Sequence, residues 1–232
     1  MTAPQYPEAA PPSDQDLAAT VTMDYDNEIV QQFIADHVDD AMSKREKAIA
    51  LFNAVRDEIR YTPYRVTLAK EGLAASHTIE VGEAYCIPKA LLYAATLRAV
   101  GIPARLGLAD VINHLSSEKL DRMLQTDEFV GHGYTALWLD DRWIRATPTF
   151  NRELCEKVGV KLLEFDGEND ALFHPYDESG NRHMQYLRYH GEFSEFDAAF
   201  IVKLWEKAYP HWFEGDLDFF ADNKIESDEV FG

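Results

Sequence analysis

Apolar residues recur at three- and four-residue intervals through the first half of the chain. Between Asp24 and Asp40 they are Ile29, Val30, Phe33, Ile34 and Val38, a spacing that predicts a helix. Ser43 followed three residues later by Glu46 is a capping-box pattern. The helix it opens is expected to run to about Ile59, with Ile49, Leu51, Phe52, Val55 and Ile59 on its apolar side. Tyr61-Thr62-Pro63-Tyr64 ends that pattern, and residues 65–81 read as irregular. Ile87 to Val100 is then an almost unbroken apolar run. Pro88 suits its first turn, Gly101 the position past its end, and Pro103 stops it. The helix so predicted starts at Cys86.

The second half reads differently. Arg105 to Ile112 predicts a strand, followed by a polar connection containing Asn113 and His114 and a short helix near Glu118–Leu124. Tyr134–Leu139 and Arg142–Ala146 flank Asp140-Asp141, which predicts a hairpin with a two-residue turn. A short helix is expected over Arg152–Val158, loops over 160–190, and a helix from Phe196 to Tyr209. Four prolines within residues 1–22 suggest a flexible arm, and residues 211–232 an acidic, aromatic tail. Residues 23–210 are expected to form one domain.

Composition narrows the function. The formal net charge of −19 disfavours nucleic acid and anionic membrane partners. Two cysteines make no disulfide scaffold, and no membrane-length apolar run or secretory segment is seen. A bacterial, cytoplasmic protein is the resulting expectation.

The candidate chemistry centres on Cys86. A helix start offers unpaired N–H groups and a dipole that favour thiolate over thiol. A nucleophilic cysteine also needs a base, and His132 in Gly131-His132-Gly133-Tyr134 opens the predicted hairpin. With Asp140-Asp141 as the turn, Leu139 pairs with Arg142, Trp138 with Trp143 and Tyr134 with Thr147. His132 then faces Thr149, with Thr147 as its diagonal neighbour on the same face. A one-residue slip would turn this face over. Cys155, among Glu153 and Glu156, is read as a structural thiol, and a zinc site from Cys86, His114 and His132 lacks a closely spaced ligand pair.

These pieces occur in a telling order: Tyr85-Cys86 and its helix, Gly101-Ile102-Pro103-Ala104-Arg105, Gly131-His132-Gly133-Tyr134, then Trp143-Ile144-Arg145-Ala146-Thr147-Pro148-Thr149. The set, over residues 45–151, resembles the transglutaminase-like superfamily of cysteine enzymes. The resemblance implies a papain-like α+β fold, with the nucleophile at a helix N-terminus packed on an antiparallel sheet. It implies a catalytic group of Cys86, His132 and Thr147, acting on a peptide, protein or small-molecule amide or ester through a thioester, with hydrolysis or acyl transfer to an amine as outcomes. No metal or cofactor is expected. Two positions depart from the family pattern. Its triad aspartate falls on Thr147, and the aromatic of its His-x-Trp element is Tyr134. Thr147 is expected to orient His132 without supplying charge, with Asn151 or Thr149 as substitutes for that role. Tyr85, Tyr134 and His114 are the candidate substrate-binding residues. The rival reading is a non-catalytic binding module on the same fold.

Overall fold

The computed structural model describes residues 10–113, 117–173 and 184–213. The expected helices α1 (Glu28–His37) and α2 (Lys44–Glu58) lead the domain. The Ser43 hydroxyl accepts the Glu46 N–H while the Glu46 carboxylate accepts the Ser43 N–H at 2.8 Å, so the predicted capping box is formed. Strand β1 (Arg60–Tyr61), helix α3 (Ala75–Val81) and strand β2 (Glu83–Ala84) follow. Parallel pairing of Tyr61 with Ala84 brings the segment after α2 against the approach to Cys86.

Helix α4 (Cys86–Ala99) is the centre of the molecule. Every side chain from Ile87 to Arg98 is buried, as the all-round apolar run requires. The exceptions in composition are anchored. Lys89, fully buried, donates to the Arg56 carbonyl at 2.9 Å and also to that of Ile59, meeting free carbonyls at the end of α2. Arg98 donates to the carbonyls of Ala104, Ala18 and Ser194.

The sheet packed on α4 is antiparallel, in the order β5 (Arg142–Ala146), β4 (Glu128–Leu139), β3 (Ala104–Asn113), β6 (Met184–Phe193). Helices α5 (Glu118–Leu124), α6 (Arg152–Val158) and α7 (Ala198–Ala208) surround it. The β4–β5 hairpin has the predicted register, with Leu139 opposite Arg142 and Trp138 opposite Trp143. Asp140 and Asp141 both take positive φ, 50° and 59°, as a type I′ turn demands.

The structure departs from the sequence reading in three places. Residues 75–81, read as irregular, are helical. Their small and polar side chains hide the pattern, yet Ala75, Ser76 and Thr78 are buried, and Asp24 binds the Ser76 N–H and hydroxyl. Strand β6 lies partly in the stretch read as loops. Leu187 and His190, extra residues where the register against β3 shifts, interrupt its alternation, and pairing with β3 supplies what propensity does not. The third concerns the arm. Residues 1–9 lie outside the described residues, as does the tail beyond residue 213. Residues 10–22 are fastened to the domain: Asp16 is fully buried, takes a two-pronged hydrogen bond from Arg105 (2.8 Å each) and accepts from Ser194, while Trp143 donates to the Ala10 carbonyl.

These contacts hold the Asp16 carboxyl at about 2 against its burial. Because that value lies below the unfolded one, the stabilisation is complete above about pH 4 and is lost as pH falls toward 2. Asp16→Ala leaves the guanidinium of Arg105 without its partner and is expected to cost about 3 kcal/mol in urea denaturation at pH 7, with the deficit shrinking at pH 2.

Candidate functional site

Cys86 is the first residue of α4 and half-buried, with Tyr85 as the capping position. Strand β4 passes directly across this helix start. A Cβ on Gly133 would stand 2.9 Å from the Ile87 Cα and 3.1 Å from the Cys86 carbonyl oxygen, so only glycine allows the strand this close. Gly131, two residues earlier, has φ +77°. A β-bulge belongs to β4 itself, whose step from His132 to Phe129 faces the shorter step from Ala109 to Val111 in β3, and the Asp110 carboxylate accepts the Gly131 N–H at 3.1 Å. Kink and bulge together set the course of the backbone into His132.

His132 is buried and stacks loosely against Phe173 and Tyr186. Its Nε2 lies 3.4 Å from the Thr147 Oγ1, which is also 3.4 Å from the Gly133 carbonyl. Both contacts are at the long end of hydrogen-bond range, and they place the Thr147 hydroxyl against the Nε2 edge of the ring. Nδ1 is the ring nitrogen that Thr147 does not engage. The diagonal His132–Thr147 relation read from the hairpin register is therefore the one found. The other groups weighed for this role are placed elsewhere. The Asn151 carboxamide oxygen accepts the Tyr61 N–H at 3.1 Å, and the buried Thr149 hydroxyl finds no hydrogen-bond partner, His132 included, among the described residues.

Cys86 and His132 line one narrow cleft of about 70 Å³. Tyr85 lines it too, with its hydroxyl donated to the Thr67 carbonyl at 2.8 Å. Tyr134 does not line it. Its ring lies over Gly107, and its hydroxyl donates to Glu192 at 3.3 Å. His114 lies outside the described residues. Tyr61, Pro63 and Val66 line it as well, and further walls come from α5, the start of β4, α7 and Trp212, contributions that the sequence reading missed. Apolar periodicity marks such side chains only as buried, and the cleft exists only once distant elements meet. Among the described residues, no group of histidine, cysteine and acidic side chains could hold a metal ion. No helix of the described residues is long and apolar enough to cross a membrane.

The electrostatics overturn one expectation. The N–H groups of Cys86, Ile87 and Gly133 favour a thiolate, as a helix start should, but burial outweighs them and pushes the thiol up to about 11. Burial also lowers His132 to about 4, with no acidic neighbour among the described residues to oppose it. Near neutral pH the resting pair is thiol and neutral imidazole.

The family model described as the Transglutaminase-like superfamily matches residues 31–148, half of the chain. The chain belongs to the transglutaminase-like superfamily. A comparison with curated proteins gives no match. Among solved structures it is similar to one from Cytophaga hutchinsonii described as a "Putative Cysteine Protease", at 15% identity and a TM-score of 0.45. That match covers 79% of this chain and 58% of the other, and a likeness this loose carries no argument about activity.

The lowered value of His132 makes stability depend on pH in a defined sense. Since its folded value lies below the unfolded 6.5, its share of the stability is present above pH 6.5 and lost as pH falls toward 4. The shift is worth about 3 kcal/mol. His132→Gln should flatten the fall in urea midpoint between pH 6.5 and 4. NMR titration of wild-type His132 should show a midpoint well below 6, moved upward by Thr147→Asp.

Proposed function

We propose that the protein is a cysteine enzyme acting on an amide or ester, with Cys86 as nucleophile, His132 as base and Thr147 as the residue that positions the base. The observation carrying this reading is the cleft shared by Cys86 and His132, with the Thr147 hydroxyl against Nε2 of the imidazole. In the reaction, Nδ1 of His132 takes the Cys86 proton as the sulfur attacks the carbonyl carbon. Backbone N–H groups at the start of α4 stabilise the oxyanion. The protonated imidazole then delivers its proton to the departing amine or alcohol, leaving a thioester on Cys86. Water, activated by the same nitrogen, releases the acid. We favour hydrolysis over transfer to an amine, because an amine acceptor requires a site that selects it over water.

The neutral resting pair explains what Thr147 can do. A carboxylate in its place would stabilise imidazolium and favour a standing ion pair; a hydroxyl carries no charge with which to do so. Proton transfer must then accompany attack. The same facts favour a second reading, a binding module that keeps the fold and cleft without turnover, since neither reacting group is charged at rest.

Iodoacetamide labelling separates the two. Cys155 is a fitting internal reference, because it is buried and its thiol is likewise raised to about 11. An enzyme predicts that Cys86 labels at least ~10-fold faster than Cys155 at pH 7.5, that His132→Ala removes the excess, and that Thr147→Val reduces it by about 10-fold. Equal labelling, indifferent to His132, would sink the catalytic reading. Thr147→Asp is expected to speed labelling at pH 7 and move its pH profile to lower pH.

A further inference from the structure

The wall of the Cys86 cleft farthest from α4 is built from the C-terminal part of the described chain, beyond the stretch matched by the family. Trp205 on α7, together with Tyr209 and Trp212, lines it beside Met123 and Leu120 of α5. The polar edges of the three aromatics are turned into the backbone. Trp205 donates its indole N–H to the Val130 carbonyl at 2.8 Å. The Tyr209 hydroxyl accepts the Val130 N–H at 2.7 Å and donates to the Glu128 carbonyl at 2.8 Å. Trp212 donates to the Met123 carbonyl at 2.9 Å. Each therefore has only ring surface to offer the cleft.

No aspartate, glutamate, lysine or arginine is among the described residues lining this space, in a chain whose net charge is −19. A charged substrate group seated here would lose its water and gain no partner. An aliphatic or aromatic group would leave water for a surface that matches it. We infer that the cleft receives an uncharged, apolar side chain or acyl group next to the carbonyl attacked by Cys86, and that Met123, Trp205, Tyr209 and Trp212 determine this specificity. The inference rests on the proposed role of Cys86 for the position of the carbonyl, while the preference of the cleft itself does not depend on turnover.

The same side chains bind the strand that carries His132. Through Val130 and Glu128, Tyr209 and Trp205 hold the start of β4 two residues before the histidine. A group filling the cleft thus presses on the clamp that sets the base.

The test uses the full chain carrying Cys86→Ala, so that binding is read without reaction. Tryptophan fluorescence is followed during titration with the N-acetyl amides of leucine, lysine and glutamate. The leucine compound is expected to bind saturably and at least ~10-fold more tightly than either charged one. Met123→Glu, shown to be folded by circular dichroism, should weaken leucine binding at least ~10-fold and shift the preference to the lysine compound. Equal binding of all three, a preference for a charged one, or no saturable binding of the leucine compound would overturn the inference. Wild-type selectivity decides the matter if Met123→Glu does not fold. Failure here leaves the iodoacetamide result on Cys86 and His132 intact, so the two readings fail separately.

Discussion

Strand β4 runs across the start of α4 with no side chain between them, and the rest of the site depends on that approach. Gly133 is where it occurs, within van der Waals reach of the Ile87 Cα and the Cys86 carbonyl. Any side chain there would push the strand off the helix and take His132 with it. Two residues further on, Thr135 donates to the Ala90 carbonyl at 2.8 Å, which seats β4 on α4 a second time. A helix buried on all sides leaves no slack for adjustment, because close-packed interiors transmit displacement rather than absorb it. Cys86 and His132 thus come to line one cleft because two rigid elements are in contact, and the surrounding segments supply its other walls.

That contact has an electrostatic consequence. Seating the sulfur under β4 removes it from water, and the loss of hydration outweighs three favourable N–H groups. The imidazole is affected in the same sense, with the opposite sign of charge, and settles neutral. A carboxylate at position 147 would reverse this balance. Threonine leaves it in place, because its hydroxyl, set between the Gly133 carbonyl and the imidazole, carries no charge. Structure and charge are linked here: the glycine that permits the approach also supplies the carbonyl that orients Thr147.

Much of this was legible in the chain. The Ser43–Glu46 capping box, the all-round apolar run after Cys86 and the Asp140-Asp141 turn are local signals whose physics acts within a few residues, and they placed helix, hairpin and register. Because hairpin register follows from turn length, the relation between His132 and Thr147 is already contained in the spacing of these residues around Asp140-Asp141. Helix α3 and strand β6 were not legible. Their polar sequences become regular only against partners distant along the chain. Asp16 shows the same limit, since a proline-rich segment reads as an arm until Arg105 is brought to it.

By itself the sequence determined the elements with strong local signals, the family order of Cys86, His132 and Thr147, and the loss of a charge at the third position. Only the tertiary structure decided that Tyr134 stays outside the cleft, that Trp205, Tyr209 and Trp212 line it, and that burial raises the Cys86 thiol. The reason is common to all three. Which face a side chain presents, what walls a cavity and how much water a charge keeps are set by elements far apart in the chain, and none of these follows from short-range pattern.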